Sequence, residues 1–173
     1  SLGILALLAA GLASRYLPRF WRARPLPFLG AAAPWLASAA SFLIAVWYHA
    51  GSPLWDKLDQ LSSGRMELFH LATQKLPVTL FGQSFLDEEL YTLDSLYLNN
   101  LYSLGLIGFL AYFGLLSLAL YQCWQKGWRA ETAVFLSFLV YGLFERGCWS
   151  STTPAVLLFA NAIYRPAPGL EAR

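Results

Sequence analysis

Residues 96–121 (LYLNNLYSLGLIGFLAYFGLLSLALY) contain no Asp, Glu, Lys or Arg, and this run restricts the fold more than any other feature of the chain. Crossing the hydrocarbon core of a bilayer takes about 20 mostly apolar residues of helix, so the run is long enough to span. Residues 26–50 (LPFLGAAAPWLASAASFLIAVWYHA) form a second uncharged run. Pro34 is placed to kink it, and Trp47 and Tyr48 are placed for a membrane–water interface. Residues 1–13 have the composition of the end of a further span. The basic cluster follows that run instead of preceding it as in a secretory signal, so the opening at Ser1 reads as a truncation inside a membrane helix. The apolar stretch from about 130 to 164 is interrupted between Gly147 and Pro154 and supplies two short spans, 130–146 and 150–164. The expectation is an all-α integral membrane fold, a single domain fragment over 1–173 with about five transmembrane helices, the first truncated. Only 13% of the residues are charged, about half the share usual in a soluble domain.

Charge placement orients the spans. Link 14–25 carries Arg15, Arg19, Arg22 and Arg24 and no acid, and link 122–131 carries Lys126 and Arg129 against Glu131. The excess of Lys and Arg puts both links on the cytoplasmic side. The connection 51–95 then faces outward, with seven acids (Asp56, Asp59, Glu67, Asp87, Glu88, Glu89, Asp94) against three bases (Lys57, Arg65, Lys75). Cys123 and Cys148 fall on opposite sides, which excludes a disulfide within one chain. A net charge of +2 gives no reason to expect a nucleic-acid partner.

The outer loop is too long to be a mere link, and its aromatics Trp55, Phe69, Phe81, Phe85 and Tyr91 argue that it is ordered. Ser62-Ser63-Gly64 is a helix start, and residues 65–76 (RMELFHLATQKL) carry helical periodicity up to Pro77. Leu68, Phe69, Ala72 and Leu76 make an apolar stripe; Glu67, His70 and Gln74 make a polar one. Arg65 stands in the first turn, where free backbone N–H groups favour an anion, and its guanidinium fork suits a diphosphate. An amphipathic helix with Arg65 against lipid headgroups fits the same pattern. His70 is either a general base or metal ligand, or an ordinary hydrogen-bonded side chain; no second His or Cys at ligand spacing supports a zinc site. Phe81-Gly82-Gln83 reads as a turn and Asp87–Glu89 as a solvated rim. Asp94 stands at the mouth of the next span, where Tyr97, Asn100 and Ser103 continue a polar face. Asp94 also fits the role of helix N-cap. Glu145-Arg146 forms an internal ion pair, or else Arg146 is a second cation for the same anion.

The order of these features resembles the bacterial polysaccharide polymerase and O-antigen ligase superfamily, most closely its Gram-positive capsule or exopolysaccharide polymerases. The matching text is Leu61-Ser62-Ser63-Gly64-Arg65, then Leu80-Phe81-Gly82-Gln83, then Leu93-Asp94-Ser95-Leu96-Tyr97-Leu98, then Leu104-Gly105-Leu106-Ile107-Gly108-Phe109, and finally the closing helix pair with Glu145 at its bend. The resemblance covers about residues 26–165, the C-terminal part of a longer family member. Position 95 is Ser where the family commonly has Asn.

The resemblance implies a metal-independent membrane glycosyltransferase with no cofactor, in the bacterial cell membrane. Its donor would be a polyprenyl-diphosphate-linked glycan, its acceptor a growing glycan, and the bilayer would hold the lipid tail. Arg65, with Arg146 as a second cation, would hold the diphosphate, and Asp94 would be the base with His70 as its rival. Glu145, Tyr97, Ser95, Gln83 and Asn100 would line the substrate. A ligase acting on a different acceptor and a membrane transporter or flippase are the competing expectations.

Overall fold

The computed structural model describes residues 26–84 and 93–145, which form five helices and no strand. Helix α1 is Leu26–Trp47, α2 is Pro53–Leu61, α3 is Arg65–Lys75, α4 is Leu96–Gln125 and α5 is Arg129–Tyr141. Two of them, Pro27–Trp47 and Leu96–Gln125, are long and apolar enough to cross a membrane. The expected spans 26–50 and 96–121 correspond to these two helices, and α1 runs continuously through Pro34. Helix α5 has 13 residues and occupies the first part of the expected span 130–146, followed by a turn at 142–144. The expected spans 1–13 and 150–164 lie outside the described residues.

These residues fall into two compact units. One comprises 26–35 and 113–141. Its rings pair as Phe28 with Tyr121 (centroids 5.8 Å apart) and Trp35 with Phe113 (6.2 Å). Trp124 lies so close to α1 that a Cβ at Gly30 would come within 2.9 Å of its indole. Gly127, at φ 71°, turns α4 into α5, and the Trp128 N–H donates back to the Cys123 carbonyl.

The other unit comprises 36–84, 93–112 and 142–145, and it contains every described candidate residue. Its core joins Ala45 and Tyr48 from the end of α1 with Met66, Phe69 and Ala72 from α3 and Leu93, Leu98 and Tyr102 around the start of α4. The buried stripe of α3 is therefore Met66, Phe69 and Ala72, turned slightly from the expected one, and Leu68 is only half-buried. Helix α2 was not anticipated. Pro53 at its first turn fits the helix start, where no backbone N–H is required.

Helix α4 is two helices joined at Gly105, whose φ of 70° and ψ of 179° belong to a region populated almost only by glycine. A break of this kind frees backbone groups that must be paired elsewhere. Residues 77–83 run across the break and pair them. The Leu106 N–H donates to the Thr79 carbonyl (2.8 Å), the Ile107 N–H to the Leu80 carbonyl (3.2 Å), and the Gln83 N–H to the Tyr102 carbonyl (3.0 Å). The two segments cross glycine on glycine: a Cβ at Gly82 would collide with the Ser103 carbonyl oxygen, and one at Gly105 with the Gly82 nitrogen. The sequence motifs Phe81-Gly82 and Gly105-Leu106-Ile107-Gly108 thus meet in space.

Gly105→Ala therefore combines a steric clash with backbone strain of about 1–3 kcal/mol. It should lower the thermal midpoint in detergent and expose residues 77–83 to protease. Gly114→Ala, on the same helix with nothing within 4 Å of the new methyl, should leave both unchanged or raise the midpoint slightly.

Candidate functional site

Arg65 is delivered by a tight hairpin between α2 and α3. Ser63 (φ 61°) and Gly64 (φ 80°) both take left-handed conformations, and the Gly64 N–H closes the turn on the Asp59 carbonyl at 2.8 Å. Neither Ser62 nor Ser63 caps α3 with its side chain. Asp59 does so from the preceding helix: its Oδ1 accepts from the N–H groups of Met66 (2.9 Å) and Glu67 (3.2 Å). The free N–H groups expected to welcome an anion are thus already held by a carboxylate of the chain itself. That corrects half of the reasoning for a phosphate at this helix start.

The guanidinium makes three contacts. Its Nε lies 3.4 Å from Asp94 Oδ2, a terminal nitrogen lies 2.9 Å from Glu145 Oε1, and the other donates to the Phe144 carbonyl. All three charged side chains are between a quarter and a third exposed. One cation thus faces two carboxylates.

Asp94 is aimed by its neighbour. Helix α4 begins at Leu96, and Ser95 is its N-cap, with Oγ accepting weakly from the Leu98 N–H at 3.4 Å and its carbonyl accepting from Asn99 at 2.9 Å. Ser95 thus caps the helix, and the Asp94 carboxylate lies beside Arg65. Ser95 is fully buried and its Oγ hydrogen-bonds Ser41 Oγ of α1 at 2.8 Å. The Leu96 N–H donates to the Gly142 carbonyl (2.9 Å), which fixes the turn that presents Phe144 and Glu145. Ser95 is buried, and its hydroxyl contacts lie within the chain.

His70 is engaged elsewhere. Its Nδ1 lies 2.8 Å from the Ala45 carbonyl, so that nitrogen carries the proton, and Nε2 accepts from Gln74 Nε2 at 2.9 Å. The ring also packs on Tyr48, 5.6 Å between centroids. These contacts pin α3 to the end of α1. Gln83 belongs to the crossing segment, and its side-chain amide donates to the Pro77 carbonyl. Tyr97 is buried and Asn100 half-buried in the first part of α4. Arg146 lies outside the described residues. Among the described residues no three His, Cys, Asp or Glu side chains converge as ligands for a metal.

No protein family, no characterised protein and no solved structure matches the chain.

Asp59 was missed as a site residue, although an acid six positions before an arginine that opens a helix is a visible signal for an external cap. Removing a cap costs about 1 kcal/mol. Asp59→Ala should lower stability by that amount, and Asp59→Asn, which keeps an acceptor oxygen, by less. A double-mutant cycle of Arg65→Ala and Glu145→Ala should give a coupling of about 1 kcal/mol or below that shrinks as salt rises, since both side chains reach water. Chemical denaturation in detergent measures both.

Proposed function

We propose that the chain is a multi-pass protein of the bacterial cell membrane, with loop 51–95 extracytoplasmic, that polymerises a cell-surface polysaccharide from polyprenyl-diphosphate-linked repeat units. The observation that carries the proposal is convergence. Three pieces of text that carry the resemblance, Gly64-Arg65, Leu93-Asp94-Ser95 and the bend at Glu145, lie far apart in sequence and meet in one partly buried ion cluster. The two others, Phe81-Gly82 and Gly105–Gly108, meet backbone to backbone. Nothing in the order of the motifs requires either meeting.

The membrane setting is supported by exposure. Only 28% of the apolar window in each long helix is buried within the chain, whereas a core helix of a soluble domain is mostly covered. Leu29, Leu36, Trp47, Ile107 and Leu115 are each more than half exposed. Surfaces like these match lipid better than water.

In the proposed reaction an acceptor hydroxyl attacks the anomeric carbon of the donor sugar. The O–H proton passes to a carboxylate, the new O–C bond forms, and the C–O bond to the diphosphate breaks with its electron pair leaving on polyprenyl diphosphate. Asp94 is the base in this scheme, as the resemblance implies. Arg65 holds it in place and is itself held by Glu145. The leaving group needs a cation, and Arg65, joined by Arg146 as the resemblance implies, is assigned to that task.

The break in α4 is the feature that would favour a transporter, where discontinuous helices hold the cargo. Here the Tyr102 carbonyl and the Leu106 and Ile107 N–H groups are taken by residues 79–83. The break is filled by chain, which favours the enzyme.

In proteoliposomes supplied with the lipid-linked repeat unit, Asp94→Asn should slow chain growth and diphosphate-lipid release together, by roughly 10²–10⁴-fold. His70→Gln should retain most of the activity. Normal elongation by both Asp94→Asn and Glu145→Gln would sink the assignment.

A further inference from the structure

We infer that residues 77–83 are a re-entrant strap whose outward side chains, Val78, Leu80 and Phe81, rest in the hydrocarbon of the bilayer, although they belong to the loop assigned to the extracytoplasmic side. The inference rests on the membrane reading above and is independent of glycosyl transfer.

The depth of the strap follows from its hydrogen bonds. It is tied to Tyr102, Leu106 and Ile107, so it lies wherever Gly105 lies. Beyond the break, Leu106–Gln125 is 20 residues of helix and contains no charged side chain. At 1.5 Å per residue that length is about 30 Å, the thickness of the hydrocarbon core. If only this half of α4 spans, Gly105 marks the outer boundary of the hydrocarbon. If any of Leu96–Leu104 also lies in the membrane, Gly105 lies deeper. In neither case does the strap stand off in water.

Its side chains agree with that placement. Val78 is 50%, Leu80 57% and Phe81 82% exposed, an unusual load of bare apolar surface for seven residues. The Thr79 and Leu80 carbonyls and the Gln83 N–H point instead to α4 and are paired there, so these three groups do not call for water. Beside Val78 a groove of about 360 Å³ is walled by Phe42, Leu101, Leu106 and Phe109, and this flank is apolar as well. A water-facing loop would need neither the paired backbone nor the apolar flank. The occupant that fits is lipid hydrocarbon.

Site-directed spin labelling tests this. The full chain, with Cys123→Ala and Cys148→Ala, carries one nitroxide at Phe81→Cys, Val78→Cys, Leu115→Cys or Lys57→Cys in liposomes. Collision rates are measured with oxygen, which concentrates in hydrocarbon, and with a water-soluble nickel chelate. Position 115 on α4 and the exposed position 57 on α2 supply the lipid and water references. The strap labels should match position 115, with oxygen collisions exceeding nickel collisions. If position 115 reads as lipid and the strap as water, the strap inference fails and the membrane reading stands. Labels at 78 and 81 that meet neither probe would mean that protein covers the strap, which also overturns it. If position 115 itself reads as water, the membrane reading fails first.

Discussion

A helix interrupted among apolar side chains must find partners for the peptide groups it frees, and in this protein a neighbouring stretch of chain supplies them. The crossing of Gly82 over Gly105 is close enough that neither residue tolerates a Cβ. Much else in the unit follows from that contact. It fixes one end of the segment leaving α3, while Ser95 and its buried partner Ser41 fix the chain where it enters α4. Between those anchors α3 has little choice of position, and Arg65 is held within reach of Asp94. Separation of the charged cluster from the crossing is only apparent, because one backbone carries both.

The architecture was legible where length and charge alone decide it. Two uncharged runs became the two long helices, and Ser62-Ser63-Gly64 and Pro77 marked the bounds of α3 almost to the residue. What escaped was non-local. The break at Gly105 lies inside a run that hydropathy reads as one span, and a lone glycine there is common in membrane helices. Its meaning depends on a segment more than twenty residues earlier, which read as an ordinary turn. Helix α2 escaped although Leu54, Trp55, Leu58 and Leu61 recur at helical spacing behind Pro53; at nine residues it is shorter than the window in which such a pattern is usually sought.

The candidate site shows the same division. Arg65, Asp94 and Glu145 were first singled out by local pattern, and only the resemblance placed them in one site. Local reasoning weighed a cap against a functional role for Asp94, and an anion against lipid headgroups for Arg65. In the structure Ser95 and Asp59 accept from N–H groups at the two helix starts, and Arg65 pairs with Asp94. His70 illustrates the reverse case, a residue with the right chemistry whose two nitrogens are spent on holding α3 against α1.

The cluster also has a consequence in time. The contact from Arg65 to the Phe144 carbonyl spans 79 positions of sequence. At a synthesis rate of about 5–20 residues per second, roughly 4–16 s separate the emergence of the arginine from that of its last partner. Through that interval the α2–α3 hairpin can fold on local contacts alone, with Asp59 already seated on its two N–H groups, and the guanidinium waits incomplete. The charged centre is therefore the last part of its unit to close, and a chain that carries it closed has finished its biosynthesis through residue 145.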